Sequence, residues 1–250
     1  MKPFKLIVSA AVLSCLSSFI TLHADSEKAA IDPQITNLLK LRLGNAEVGT
    51  PVETPVDGIY QTQFGSKFAY LTGGGRYVLI GDMIDLQSQV NLTENARRGI
   101  AQEALKTMPV GELAVFPAVA ETKAVLNVFT DTSCPYCKKL HEEVPKLQDA
   151  GIEVRYFPFP RGGKRGPGYQ DLKQVWCSED RAKAMDIAKE TSSGELSDGS
   201  CKAAELVDKG YNLGNEVGVT GTPALFTASG RKFDGYVPYQ KLIPMLLSGS

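Results

Sequence analysis

Val125-Leu126-Asn127-Val128-Phe129-Thr130-Asp131-Thr132-Ser133-Cys134-Pro135-Tyr136-Cys137 is the stretch that decides the fold. Val125 to Phe129 is a β-favouring apolar run broken only by Asn127, with the length of a central strand buried on both faces. It stops just before two cysteines separated by two residues. Pro135 suits the first position of a helix, where its missing N–H leaves no bond unmade. Beyond it Cys137, Leu140, Val144 and Leu147 recur at spacings of three, four and three, the period of a helix with one buried face. Pro145 falls inside that pattern and predicts a kink or an early stop. A strand running into a helix whose first turn carries Cys-x-x-Cys is suited to dithiol–disulfide chemistry. The turn brings the sulfurs within bonding reach, and helix-end N–H groups stabilise a thiolate on the first. Cys134 is therefore expected to be the ionised, uncovered nucleophile and Cys137 the resolving thiol on the buried face.

Two competing readings of that pair are weaker. A zinc ribbon needs a second close pair of cysteines, and Cys177 and Cys201 lie 40 and 64 residues beyond Cys137 and 24 apart. A purely structural Cys134–Cys137 bridge would close so small a ring that it restricts the unfolded chain little. No metal or cofactor is expected. After removal of an N-terminal leader only His141 would remain among the histidines, which excludes a His-rich metal site or a two-histidine catalytic arrangement within one chain.

The leader is read from Lys2 and Lys5, followed by an apolar stretch from Leu6 to Leu22 with no acidic residue before Asp25. That charge order predicts a secretory signal over residues 1–24, cleaved near Ala24. Five Ser or Thr residues interrupt the stretch, which disfavours an uncleaved transmembrane helix. Val12-Leu13-Ser14-Cys15 faintly resembles a lipoprotein cleavage box, but the nine residues between Lys5 and Cys15 are short for the apolar core of a signal. Export would leave four cysteines, an even number, in a compartment where disulfides persist. The whole chain of 250 residues is 43% hydrophobic and 22% charged, with a formal charge of −1. That balance suits a soluble globular protein and excludes a strongly basic chain that binds nucleic acid by neutralising phosphates.

The rest of the chain reads as two domains joined by a helix. Short β-type runs, Ile59 to Phe64, Lys67 to Thr72, Arg76 to Ile80 and Met83 to Leu86, are separated by Gly65-Ser66 and Gly73-Gly74-Gly75, which is turn chemistry. The triple glycine lacks the Lys-Ser/Thr ending of a phosphate cradle. Pro33 to Leu43 places Ile35, Leu38, Leu39 and Leu43 on one face of a short helix. An α+β unit of this size is marginal alone and gains stability by pairing its sheet edge or apolar face with a second copy. Thr93 is the expected cap of a connecting helix from Asn95 to Met108, ended by Pro109 and weakened by Gly99. The divisions expected are 25–88, 89–108 and 109–250.

Phe129 to Glu142, then Gly151-Ile152-Glu153-Val154-Arg155-Tyr156 and Phe159-Pro160-Arg161, resemble the bacterial periplasmic disulfide isomerases of the DsbC/DsbG family. The likeness continues upstream through Ile59-Tyr60 and Gly81-Asp82-Met83-Ile84-Asp85. Downstream it runs through Trp176-Cys177, Ser200-Cys201 and Gly218-Val219-Thr220-Gly221-Thr222-Pro223-Ala224. The resemblance implies a V-shaped homodimer, with a cystatin-like α+β dimerisation domain joined by the linker helix to an α/β thioredoxin-like domain bearing a helical insertion. It implies that Pro223 is cis and faces the cysteines, leaving the Thr222 backbone free to pair with a substrate strand. Spacing and resemblance together favour a structural disulfide between Cys177 and Cys201. By the chain-entropy account a loop of about 25 residues makes this worth roughly 3.5 kcal/mol. It implies exported proteins with non-native disulfides as substrates, chaperone activity, and the membrane reductant DsbD as electron donor.

In one respect the pattern departs. DsbC-type members commonly carry Gly-Tyr between the active cysteines, whereas Pro135-Tyr136 is the dipeptide of glutaredoxins and of DsbG. The intervening pair bears on thiolate stability and redox poise. The dipeptide motivates one alternative, a DsbG-like reductase of sulfenylated cysteines, against which the bridge-forming pair Cys177 and Cys201 weighs. A separate alternative is a holdase with secondary redox activity. Other residues read as background: Arg161, Lys164 and Arg165 as a solvated Gly-rich loop, Trp176 as packing, His141 as exposed or capping. Asp131 reads equally as a helix-approach cap or a surface turn.

Overall fold

Ile59–Phe64 and Lys67–Thr72 form the hairpin β2–β3, in register from Ile59 opposite Thr72 to Phe64 opposite Lys67. Gly65, at φ +55°, supplies the left-handed residue that the tight turn needs. The computed structural model describes residues 48–72, 75–190 and 194–248, together with Asn37 and Leu41, both in helical backbone. The leader and the rest of the helix expected over 33–43 lie outside these residues. Val52–Glu53 (β1) and Val78–Ile80 (β4) complete an antiparallel sheet in the order β1-β2-β3-β4. Phe68, Ala69, Tyr70 and Leu71 of β3 are all buried, whereas every residue of β4 is exposed.

The fourth expected strand does not join this sheet. Ile84–Asp85 (β5) pairs instead with Val90–Asn91 (β6) as a separate ribbon. Its turn is closed by the Asp85 carboxylate, which accepts from the Gln87 and Ser88 amides and the Ser88 hydroxyl, the local bonding that favours Asp in turns. The connecting helix α1 spans Leu92–Lys106 and is capped by Asn91, whose side chain accepts from the Glu94 amide at 2.8 Å. Thr93, expected as the cap, is buried inside the first turn. Its hydroxyl meets that of Tyr70 and accepts from the Met83 amide at 2.8 Å, tying α1 to the sheet. Pro109 follows soon after the helix end, as its missing N–H requires.

The second domain is built on a five-stranded sheet ordered β11-β10-β8-β9-β7. Ala124–Thr130 (β8) runs parallel to Ile152–Pro158 (β9). Ala114–Phe116 (β7), Ala224–Thr227 (β10) and Lys232–Asp234 (β11) add antiparallel neighbours. Between β8 and β9 lie α2, Pro135–Glu142, and α3, Val144–Asp149. The break at Glu143 is the interruption that Pro145 predicts. Tyr169–Trp176 (α4), Arg181–Ala188 (α5) and Glu205–Glu216 (α6) fill the chain between β9 and β10, and Tyr239–Leu247 (α7) closes it.

Alternation along β8 divides the core. Leu126 and Val128 join Leu140, Val144, Leu147, Tyr156 and Trp176 on one face. Phe129 joins Phe157, Phe159, Phe226 and Leu213 on the other, where Ala101, Ala104 and Leu105 of α1 also pack. A central strand apolar on both sides fits this arrangement. Trp176 is fully buried and its Nε1 donates to the Glu112 carbonyl at 2.8 Å, so its polar edge is satisfied within the packing. Cys177 and Cys201 are joined by a disulfide, linking the end of α4 to the turn before α6.

Candidate active site

Strand β8 delivers the chain into a buried turn. Thr130 and Asp131 are fully covered, and Asp131 is a hub rather than a surface residue. One carboxylate oxygen accepts from the Ser133 amide at 2.9 Å and the Ser133 hydroxyl at 2.7 Å. The other accepts from the Arg161 amide at 2.8 Å and Arg161 Nε at 3.0 Å. Burial disfavours the Asp131 charge, but these four donors outweigh it and hold the carboxyl below its ordinary value. Arg161 also reaches the Ser133 hydroxyl at 3.2 Å, so it belongs to the site and not to a solvated loop. The sequence held one signal for the hub, the Asp131-Thr132-Ser133 order of an Asx-type turn.

Cys134 stands at the N-cap of α2, with Pro135 as the first helical residue. Its carbonyl accepts from the Cys137 and Lys138 amides, both at 3.1 Å. Its thiol donates to the Thr222 carbonyl at 3.2 Å, across a Thr222–Pro223 bond that is cis. The bond from Cys137 holds the Cys134 thiol down, against the opposing effect of burial. Thr222, the Cys137 amide and the Arg161 charge assist, and the result is lowered to about 5. The Thr222 hydroxyl is buried without a partner, and ionisation of Cys134 creates an acceptor for it. Burial pushes the Cys137 thiol up, and its bond to Cys134 adds to that shift. The two sulfurs are thereby separated into a ready thiolate and a protonated reserve.

One expectation needs correction. Cys134 is only 1% exposed, not uncovered, because its sulfur packs under Thr222. Tyr136, by contrast, projects into solvent at 62% exposure.

His141 is neither exposed nor a cap. It is buried, with Nδ1 2.9 Å from the Tyr156 hydroxyl and Nε2 2.9 Å from Asp186 Oδ1. Burial and the Lys189 charge push its pKa down to about 3, so the ring is neutral. Neutrality assigns the ring proton to Nε2, donating to Asp186, while Nδ1 accepts from Tyr156. Lys189, at the end of α5, carried no sequence signal, yet its ammonium is buried and reaches Thr130 Oγ1 at 2.9 Å and the Asp131 carbonyl at 2.7 Å. Among the described residues no group of three or more His, Cys, Asp or Glu could hold a metal ion.

Comparison with known proteins agrees with this geometry. The family of thioredoxin-like domains matches residues 114–249, and the disulfide bond isomerase protein N-terminal domain matches residues 22–94. Thiol:disulfide interchange protein DsbC of Salmonella typhimurium is 35% identical, over 86% of this chain and 84% of its own length. DsbC of Dickeya dadantii is 33% identical, over 92% of this chain and 93% of its own. Among solved structures, the thiol-disulfide exchange protein alpha-DsbA2 of Wolbachia pipientis shares the fold. Its TM-score is 0.50 at 17% identity, with 63% of this chain and 98% of that one covered. The expected fold class, an α+β N-terminal module joined to a thioredoxin-like domain with a helical insertion, is borne out. Two domain families on one chain, with relatives this similar along nearly all of it, place the protein in the DsbC family of thiol:disulfide interchange proteins.

Proposed function

We propose that this chain is a periplasmic disulfide isomerase and reductase, with Cys134 as nucleophile, acting on exported proteins that hold wrongly paired disulfides. The observation that carries the reading is the unequal pair at the start of α2: a Cys134 thiol lowered to about 5 beside a buried Cys137 whose thiol is raised. The Cys134 thiolate attacks one sulfur of a substrate disulfide. A Cys134–substrate disulfide forms, the substrate's S–S bond breaks, and its second sulfur leaves as a thiolate. That thiolate attacks elsewhere in the substrate and regenerates reduced enzyme, which is isomerisation. Otherwise Cys137 loses its proton and attacks Cys134, and the departing substrate sulfur takes up a proton. Substrate is then reduced and enzyme oxidised, so an outside reductant is needed. DsbD is the donor that the family resemblance favours.

Thr222 and Pro223 stand against the nucleophile, where the Thr222 backbone would pair with an extended substrate segment. The Cys177–Cys201 bridge is assigned a structural role. A homodimer, held through the N-terminal domains, would place two such sites around one apolar cleft suited to unfolded chains. No described helix is long and apolar enough to cross a membrane.

The test compares recovery of a scrambled, multiply bridged substrate by the wild type and by Cys134→Ala. The variant is expected to lose reshuffling while still suppressing aggregation of reduced substrate. Undiminished reshuffling would remove Cys134 from the role. Wild-type protein that reduces sulfenylated cysteine but leaves scrambled substrate untouched would instead establish the DsbG-like reading raised by Pro135-Tyr136.

A further inference from the structure

Lys189 is the last residue before the chain leaves α5, and Glu190 turns it away in the left-handed region at φ +64°. Glu190 is held there by an ion pair to Lys138 of the active-site helix, at 2.6 Å. The Lys189 side chain points the other way, into the protein, and the residue is 2% exposed. Both hydrogen-bond acceptors of its ammonium, the Thr130 hydroxyl and the Asp131 carbonyl, are neutral. The Asp131 carboxylate is already engaged by Ser133 and Arg161. An ammonium buried against neutral acceptors is expensive unless an anion forms nearby.

The residue that Lys189 binds also holds the backbone of the nucleophile. The Asp131 carbonyl accepts from the Cys134 amide at 3.2 Å as well as from Lys189, and the Asp131 amide dipole favours an anion on Cys137. The charge on Lys189 is favoured most by an anion on Cys137, ahead of Asp131 and Cys134, and opposed by Lys138. His141, packed on the same cluster, is neutral and held by Tyr156 and Asp186. In the resting protein Cys137 is a thiol; during turnover it must become a thiolate.

We propose that Lys189 is a positioning residue for the second half-reaction, its buried ammonium stabilising the Cys137 thiolate that closes the Cys134–Cys137 bond and releases substrate. In that step the Cys137–hydrogen bond breaks and the Cys134–Cys137 disulfide forms. The Cys134–substrate disulfide breaks, and the substrate leaves as a thiol once its sulfur has taken up the proton. Cys137 is oxidised from thiol to disulfide, Cys134 stays at the disulfide level, and the substrate sulfur is reduced to the thiol. Burial lowers the Lys189 pKa to about 8, so the assistance is present below that pH and fades above it.

The inference rests on the exchange reaction proposed above, and one experiment separates the two. Reduced full-length protein is mixed with a stoichiometric amount of the aromatic disulfide DTNB. A first coloured thiolate reports attack by Cys134, and a second reports attack by Cys137 on the mixed disulfide. In Lys189→Met the first phase should stay within about twofold of wild type, while the second slows about tenfold near pH 7, the effect of losing one nearby charge. The gap should narrow above pH 8, where wild-type Lys189 has discharged. Thr130→Val, which removes one acceptor of the ammonium and keeps the volume, should slow the second phase in the same direction by a smaller factor. A second phase unchanged in both variants, or slowed equally at every pH, would overturn the role of Lys189. A first phase that persists in Cys134→Ser would instead overturn the exchange reading itself.

Discussion

Asp131 carries more of the site's order than its place in the chain suggests. Four donors from Ser133 and Arg161 converge on its carboxylate, while its carbonyl accepts from both the Cys134 amide and Lys189. Asp131→Asn replaces one acceptor oxygen with a donor, leaving at least one buried N–H or O–H facing another donor and the Arg161 charge uncompensated. The variant should lose about 3 kcal/mol, the cost typical of breaking a buried charged network, read from the denaturant midpoint of the catalytic domain's tertiary signal. The sign with pH follows from the lowered carboxyl. The stabilisation is complete above the unfolded value of about 3.9 and is lost as pH falls through the lower folded value. Asp131→Asn should therefore flatten the acid limb of the stability curve, and an unchanged limb would show that the carboxylate contributes nothing there. The cysteines and their intervening dipeptide stand out in the sequence because their relation is local. Arg161 lies 30 residues from Asp131, and Lys189 is 58 residues from the carbonyl it binds. Separations of that size carry no periodic signal, so both groups, with the buried His141, became apparent only once the chain was folded.

At the scale of elements, close approach and local propensity pull in opposite directions on glycine. In α6 a Cβ on Gly210 would lie 2.5 Å from the Pro158 carbonyl oxygen, and one on Gly214 would lie 2.4 Å from the Phe159 ring. These positions, four apart on one face, let α6 settle against the end of β9, which leads into Arg161. In α1 a Cβ on Gly99 would meet nothing within 4 Å. Helix propensity alone favours alanine at all three sites by about 1 kcal/mol. Gly99→Ala should therefore stabilise by about that amount, whereas Gly210→Ala should destabilise by about 2 kcal/mol because overpacking outweighs propensity. Thermal melts of the two variants should move in opposite directions, and a shared direction would contradict this account of α6. The same competition explains which elements were legible. Strands β2, β3 and β8 and the break before Pro145 follow from period and proline chemistry that act within a few residues. The β5–β6 ribbon was missed because the Asp85 side chain supplies a turn where alternation suggested a longer strand. The start of α1 was misplaced because Asn91, not Thr93, had the geometry to reach the first free amide.

For the whole molecule, the surface that matters most lies away from the cysteines. Among the described residues the N-terminal sheet has an open edge at β4, where Val78, Leu79 and Ile80 are 39%, 53% and 63% exposed beside Tyr77 at 59%. Unpaired backbone along an apolar edge is a template for another strand, and a run of exposed large side chains is uncommon on a protein that works alone. A second copy of the same sheet offers an equivalent edge, which a two-fold pairing satisfies on both chains at once. Charged residues are the usual means of blocking such an edge, so Leu79→Lys combined with Ile80→Lys should leave the fold intact and shift the protein from dimer to monomer in sedimentation equilibrium. The active site in the other domain keeps its own hydrogen bonds, and labelling of Cys134 by iodoacetamide should be unchanged in rate. Recovery of scrambled substrate should nevertheless fall several-fold, because one arm cannot hold an unfolded chain between two exchange sites. A dimer that survives both lysines would place the contact elsewhere on the molecule. A monomer that still reshuffles at the full rate would separate assembly from isomerisation and leave the single thioredoxin-like domain responsible for the whole activity.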